Sequence, residues 1–174
     1  WSEFVDKIKN PKYKVEVALV GKYTELPDAY KSINESFIHA GAINHSKVKV
    51  TYVAAEEVTA DSVAERLGSV SGIFIAPGSG TRGFDGKMVA ARFAREHNIP
   101  LFGVGLGLQA AVVEFARNVL GMQNAHSKDL DAKTKNPVID LMEDKKKVSE
   151  KGGTMRLGGY ECLLQKGSKA YEAY

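Results

Sequence analysis

The sequence predicts an α/β fold in three layers, in which a mainly parallel sheet is flanked by helices. Short apolar runs alternate with longer amphipathic segments between residues 14 and 120, a pattern typical of strands joined by helical crossovers. Residues 17–20 are apolar at every position, as expected of a strand that is buried on both faces of a parallel sheet. The length of 174 residues suits one domain with a sizeable core.

The first part of the chain contains four predicted strands and four predicted helices. The strands are predicted at residues 14–20, 48–54, 72–76 and 100–104, and the helices at 29–40, 61–67, 87–97 and 106–120. Pro27 and Asp28 favour the start of the first helix, and Gly41 favours its end. The inward faces of the first two helices are predicted to contain Tyr30, Ile33, Phe37 and Ala40, then Val63, Ala64 and Leu67.

The two ends of the chain differ in pattern from this core. Residues 1–13 are polar and mixed in charge, so we interpret them as a lead-in or linker with a short helix at 4–8. The domain is expected over 14–174. Residues 121–137 have the composition of a loop, and the strands predicted after them are 138–142, 154–157 and 160–164, with a helix from residue 168.

Composition and charge narrow the classes of partner. The net charge of +3 is too small to indicate a nucleic acid or a membrane surface as a partner, and no apolar run approaches the roughly 20 residues of a membrane span. Cys162 is the single cysteine, so we expect no internal disulfide, a buried structural thiol and a cytoplasmic protein. No grouping of side chains has the spacing of metal ligands.

The stretch at residues 99–109 joins a predicted strand to a predicted helix through a tight turn. Gly103, Gly105 and Gly107 alternate in it. This layout is typical of a nucleophile elbow, in which a sharp turn presents one reactive side chain at the top of a sheet. Gly105 stands at the tip, where that side chain would be. The glycine-rich residues 77–83 follow the preceding strand and are expected at the same edge of the sheet, where ligands of such folds bind.

Several long motifs resemble the class I glutamine amidotransferase domains of CTP synthases. They are residues 17–23, 25–32, 82–83 with 86–87, 114–121, 137–142 and 152–158. The resemblance covers nearly the whole chain and implies a flavodoxin-like fold. It also implies hydrolysis of glutamine to glutamate and ammonia, which a separate synthetase domain uses to aminate UTP to CTP.

The same resemblance implies which ligands bind to this chain and which bind to the synthetase domain. The synthetase domain would precede Trp1, and it would bind UTP, ATP and magnesium. For this chain we therefore expect no cofactor, and we expect glutamine or another small molecule in the pocket. The histidine and glutamate that complete the family's catalytic triad would lie beyond Tyr174, so we expect the domain to be truncated at its C-terminal end.

The elbow departs from the family at the residue that does the chemistry. The family's G-I-C-L-G-M-Q stands here as residues 103–109, with Gly105 at the cysteine position. A thiolate would attack the amide carbon and form an acyl-enzyme, which glycine cannot do. The resemblance implies that Gly78 and the amide of Leu106 still offer backbone donors to an oxyanion. We therefore predict an inactive glutaminase.

The substrate-binding positions also differ from the family. The oxyanion loop includes Ser79, at a position that is aromatic in the family, followed by Gly80. Asp129 replaces a glutamate in the family's N-S-T-E-F motif, and Gln109 is retained. The resemblance implies that the changes at Gly105, Ser79 and Asp129 lie at substrate-contacting positions, while motifs far from the pocket survive.

Two further functional hypotheses stay open. One is an engineered or degenerate scaffold that binds a small molecule. The other is a redesigned hydrolase, in which Ser79, His126 and Asp129 form a hydroxyl–imidazole–carboxylate group, or in which Lys128 serves as an amine nucleophile. The alternating glycines do not follow the G-x-G-x-x-G spacing of a dinucleotide site, and the loop at 77–83 does not end as a P-loop does.

Overall fold

The fold was analysed in a computed structural model that describes residues 1–145 and 158–174. Four parallel strands form one sheet in the order β2-β1-β3-β4. The strands are β1 (Tyr13–Gly21), β2 (Ser46–Ala54), β3 (Gly72–Ile75) and β4 (Leu101–Gly103). Val17 of β1 is in register with Val50 of β2 on one side and with Gly72 of β3 on the other. The predicted α/β class with a parallel sheet is confirmed.

Helices precede, connect and follow these strands. They are α1 (Ser2–Lys9), α2 (Lys31–Ile43), α3 (Val63–Leu67), α4 (Phe84–Glu96) and α5 (Leu106–Asn118). The 3₁₀ turns Pro27–Tyr30 and Ala55–Glu57 precede α2 and α3. The core is divided between the two faces of the sheet because neighbouring residues of β1 point to opposite sides. Ala18 and Val20 pack with α3 and α4 on one face, and Leu19 packs with Tyr30 and Phe74 on the other.

The prediction that Gly41 ends a helix is wrong. Helix α2 continues through Gly41 to Ile43. A Cβ atom at Gly41 would lie 2.5 Å from the carbonyl oxygen of Ser46, so the glycine lets the helix approach the start of β2. The inward faces also differ from the prediction, because Ala40 and Ala64 are exposed.

The N-terminal segment is helical over a longer range than the predicted residues 4–8. In addition to forming α1, it contacts α2 through aromatic rings. The ring of Phe4 stacks on Trp1 at 5.7 Å between centroids and meets His39 edge-on at 5.5 Å. The domain boundary after residue 13 stays a prediction.

The region after residue 120 differs most from the sequence prediction. A strand β5 (Ala125–Ser127) lies within the predicted loop and pairs in parallel with β6 (Asn136–Ile139). The predicted strand at 138–142 therefore begins earlier and ends at Ile139. By its contacts the chain divides into Trp1–Asp140 and Leu141–Tyr174.

The second of these units contains the 3₁₀ turn Glu143–Lys145 and the helix α6 (Lys169–Ala173). The Ser168 side chain caps α6 by accepting a hydrogen bond from the Tyr171 amide, in agreement with the predicted helix from residue 168. Residues 160–164 do not form the predicted strand, and residues 154–157 lie outside the described residues. Cys162 is exposed, so the prediction of a buried thiol is wrong.

Candidate functional site

The candidate site lies where β3 and β4 end. Residues 77–83 follow β3, and Gly105 follows β4 and immediately precedes α5. The amide of Val104 donates a hydrogen bond to the carbonyl of Ile75 over 3.2 Å, which ties the two strand ends together. The two glycine-rich segments therefore leave the sheet side by side, as the sequence predicts.

The three alternating glycines of the elbow are required for different reasons. Gly105 has φ +53° and ψ −113°, a left-handed conformation that favours glycine. A Cβ atom there would lie 3.6 Å from Pro77, so space for a side chain exists. At Gly107 a Cβ would lie 2.1 Å from the carbonyl oxygen of Ile75, and at Gly103 it would lie 2.7 Å from the backbone of Gly107. Packing therefore explains Gly103 and Gly107, and conformation explains Gly105.

The loop after β3 lies against the start of α5. Gly78 has φ +154° and Gly80 has φ +73°, and a Cβ atom at Gly78 would lie 4.0 Å from Leu106 Cδ2. Leu106 is the first residue of α5, so its amide has no intrahelical acceptor. Ser79 is exposed. The structure thus brings the Gly78 loop and the Leu106 helix terminus together.

Gln109 and Asp129 are joined directly. Gln109 Nε2 donates to the Asp129 carboxylate over 2.8 Å, and Gln109 Oε1 accepts from Ser127 Oγ over 2.7 Å. Ser127 Oγ also accepts from the Asp129 amide over 3.2 Å, and Ser127 is fully buried. Ser127 was missed as a site residue. Its place two residues before Asp129, within the segment that resembles the family's N-S-T-E-F motif, is the sequence signal that could have identified it.

His126 and Lys128, two of the residues proposed for a redesigned hydrolase, are held by other contacts. The His126 ring stacks on Phe84 at 5.7 Å between centroids, and its Nδ1 accepts from the Ser127 amide over 2.8 Å. Lys128 Nζ pairs with the Asp140 carboxylate over 2.7 Å. Among the hydrogen bonds of the described residues, none joins Ser79 to His126. The geometry therefore gives no support to a Ser79–His126 pair.

Two lysines beneath the loop are further site residues that sequence reasoning missed. Lys87 is fully buried, and its Nζ donates to the Ala76 carbonyl over 2.6 Å. Burial, with a smaller contribution from the nearby charge of Lys22, lowers the pKa of Lys87 to about 8. Lys22 is 7% exposed, and its Nζ donates to the Ser79 carbonyl. Lys22 directly follows β1, at the edge of the sheet where ligands bind, which is the signal that points to it.

A cavity of about 270 Å³ adjoins Lys22 and the loop. It is lined by Lys22, Tyr23, Ala29, Tyr30, Ile33, Pro77, Gly78 and Ser79. The Tyr30 hydroxyl donates to the Lys22 carbonyl, and burial raises the pKa of Tyr30. The cavity is therefore mostly apolar, with the ammonium group of Lys22 and hydroxyl groups at its wall.

Metal and membrane features were also sought. The described residues contain no group of three or more His, Cys, Asp or Glu side chains that could hold a metal ion. None of their helices is both long enough and apolar enough to cross a membrane.

Comparison with known proteins identifies relatives along the whole chain. The class-I glutamine amidotransferase family matches residues 25–174. All 174 residues align with the CTP synthases of Cytophaga hutchinsonii at 56% identity, Salinibacter ruber at 54% and Bacteroides fragilis at 55%. The chain covers 32%, 31% and 33% of these three proteins, so it spans about a third of their length.

A solved structure supports the same relationship. The glutaminase domain of Trypanosoma brucei CTPS with bound acivicin superposes with a TM-score of 0.65 at 40% identity, over 70% of this chain and 48% of that one. The fold agrees with this family match over residues 25–174, since it has a parallel sheet flanked by helices and an elbow after β4. The chain belongs to the class-I glutamine amidotransferase family.

Proposed function

We propose that this chain is the glutaminase domain of a CTP synthase, in a form that does not hydrolyse glutamine. The similarity to CTP synthases over all 174 residues supports the first part of the proposal. Gly105 at the tip of the elbow is the observation that carries the second part. The proposed partner is a synthetase domain, which in an active relative would use the ammonia to convert UTP to CTP.

The reaction of the family requires a nucleophile at the elbow. A thiolate attacks the side-chain amide carbon of glutamine, the carbonyl oxygen becomes an oxyanion, and the bond to nitrogen breaks as ammonia leaves with a proton. Water then hydrolyses the thioester to glutamate. Because glycine has no side chain, no acyl-enzyme can form at position 105. The loss of such a nucleophile costs roughly four or more orders of magnitude in rate.

The pocket residues other than Gly105 support the proposal that the chain still binds glutamine. The amides of Gly78 and Leu106 are the proposed donors to the glutamine carbonyl, and the two residues lie against each other. Ser79, Gly80, Gln109 and Asp129 are the proposed substrate contacts. The Asp129 carboxylate would pair with the α-ammonium group of a bound amino acid.

Glutamate release by the purified chain tests the proposal. The wild type and Gly105→Ala should both remain at the background rate. Gly105→Cys should take up a second iodoacetamide label besides the one at the exposed Cys162, since a helix N-terminus favours the thiolate. We expect no turnover in Gly105→Cys, because the His126 ring is held by Phe84 and Ser127. Turnover by the wild type would overturn the predicted inactivity.

Ligand binding separates this proposal from the scaffold hypothesis. Calorimetric titration with glutamine should give a signal that glutamate, aspartate and lysine do not match. If other small acids bind more tightly than glutamine, the pocket is a scaffold with changed specificity.

A further inference from the structure

Two buried ammonium groups hold the loop after β3 by its carbonyl oxygens. Lys87 Nζ donates to the Ala76 carbonyl over 2.6 Å, and Lys22 Nζ donates to the Ser79 carbonyl. The two lysines are 0% and 7% exposed. They come from different elements, since Lys22 follows β1 and Lys87 lies in the first turn of α4. The segment between the two carbonyls contains Pro77 and Gly78.

Burial of these amines is costly. An ammonium group taken out of water costs several kcal/mol unless close partners offset the loss of hydration. Among the ion pairs of the described residues, none includes Lys22 or Lys87. The pKa of Lys87 is lowered mainly by its burial and further by repulsion from the charge of Lys22. Glu56 exerts a smaller opposing attraction on Lys87. Packing alone would be served better by methionine or leucine, so the amines have another role.

Lys22 is connected to Gly80, a proposed substrate contact, through the peptide group between Ser79 and Gly80. The Ser79 carbonyl and the Gly80 amide belong to the same peptide group. A hydrogen bond from an ammonium group to the carbonyl polarises that peptide group and makes its N–H a stronger donor. It also fixes the plane of the peptide group at Gly80, which has φ +73° and no Cβ atom to restrict its backbone.

The carbon chain of Lys22 supports the neighbouring residue. A Cβ atom at Gly78 would lie 3.4 Å from Lys22 Cε and 3.9 Å from Lys22 Nζ. The lysine therefore fills the space below Gly78 while its amine holds Ser79. Lys87 fixes the start of the same loop through Ala76.

We propose that Lys22 and Lys87 are positioning residues, which hold residues 76–80 so that the amides of Gly78 and Gly80 face a carbonyl ligand beside Leu106. This inference rests on the proposed glutamine-binding function of the loop. Lys22 sets the peptide group between Ser79 and Gly80, and Lys87 sets the point at which the loop leaves β3. Neither lysine needs to touch the ligand.

Amide resonances of the loop test the proposal without any need for catalysis. In ¹H–¹⁵N spectra of the full chain, Lys22→Met should move the Gly80 amide proton upfield and speed its exchange with solvent. Lys22→Arg, which keeps a charged donor, should restore much of the wild-type shift. Lys49→Met is the matched control, because Lys49 is an exposed lysine paired with Glu16. An unchanged Gly80 resonance in Lys22→Met would overturn the role of Lys22.

Lys87→Met tests the second anchor. Methionine is close to lysine in volume, so the core should accept it, and the loss of the amine should broaden or shift the Gly78 resonance. If the Gly78 amide keeps its wild-type shift and exchange rate in folded Lys87→Met, Lys87 does not position the loop.

Titration with glutamine in the same spectra distinguishes failure of this inference from failure of the proposed function. Lys22→Met should weaken glutamine binding about tenfold, whereas Lys49→Met should not. If the wild type shows no shifts with glutamine, the proposed function fails while the loop effect of Lys22→Met can still be read. If the wild type binds glutamine and Lys22→Met binds equally well, only the positioning role fails.

Discussion

Gln109 is held at both ends of its side-chain amide, with Nε2 donating to the Asp129 carboxylate over 2.8 Å and Oε1 accepting from Ser127 Oγ over 2.7 Å. The amide group therefore has a fixed orientation, with its nitrogen toward Asp129. An Asp129 carboxylate that is held in this way is oriented before any ligand arrives.

This relationship predicts the effect of removing the carboxylate charge. Asp129→Asn should weaken glutamine binding about tenfold or more, because the α-ammonium group loses a charged acceptor. Asp131→Asn, which removes the charge of an exposed carboxylate two residues after Asp129, is the control and should bind like the wild type. Isothermal titration calorimetry measures both, and equal affinities in the two variants would contradict the role of Asp129.

The elbow glycines predict two distinct stability effects. Gly105→Ala should lower the unfolding free energy by roughly 1 kcal/mol, because φ is +53° but the added methyl group has room. Gly107→Ala should cost about 3 kcal/mol or more, because its Cβ would lie 2.1 Å from the Ile75 carbonyl oxygen. Urea denaturation gives both values. A Gly107→Ala variant as stable as Gly105→Ala would contradict the close packing of α5 on β3.

The lowered pKa of Lys87 predicts how the free energy of unfolding depends on pH. Its pKa is about 8 in the folded state and 10.5 ordinarily, so the folded state binds fewer protons between these values. Stability should therefore rise with pH across this window, by up to about 3 kcal/mol. Lys87→Met should lack this rise, and Lys49→Met should keep it. Urea denaturation at several pH values measures the rise in stability. If Lys87→Met shows the same rise, the rise is caused by the titration of another group.

The ion pair between Arg95 and Glu114 predicts an asymmetry between two substitutions. Arg95 Nη2 lies 2.6 Å from Glu114 Oε1, and the side chains are 33% and 3% exposed. Arg95→Met should cost about 3 kcal/mol, because it leaves a buried carboxylate without its cation. Glu114→Gln should cost less, since Arg95 reaches water.

Arg92→Met is the control for that pair. Arg92 lies on the same helix and pairs with Glu96 four residues on, at the surface, so its loss should cost roughly 0.5 kcal/mol or less. Thermal and urea denaturation of the three variants test the order. An Arg95→Met variant no less stable than Arg92→Met would contradict the importance of the buried carboxylate.

The fold could be predicted from the local sequence pattern where a strand is buried on both faces and is therefore apolar at every position. Residues 17–20 and 72–76 are apolar without alternation because both faces of β1 and β3 are covered. Strand β5 could not be predicted in this way, because its three residues include His126 and Ser127 and, among the described strands, it pairs with β6 alone. The prediction for Gly41 is wrong because, in a sequence, a glycine that permits close approach cannot be distinguished from a glycine that ends a helix.

The site was predictable in part. The tip of the elbow follows from the glycine alternation around Gly105, and the proximity of Gln109 to Asp129 agrees with the family resemblance. Lys87 could not be recognised, because a lysine in an amphipathic helix is ordinarily interpreted as solvent-exposed. Only the fold reveals that its amine reaches the Ala76 carbonyl.

The contacts of Ile75 link the movements of the loop and the elbow. Its carbonyl accepts the hydrogen bond from Val104 and lies against Gly107, while the next residue, Ala76, is held by Lys87. The loop and the elbow are thus attached to the same end of β3. We therefore expect hydrogen exchange to show the two segments opening together rather than one at a time.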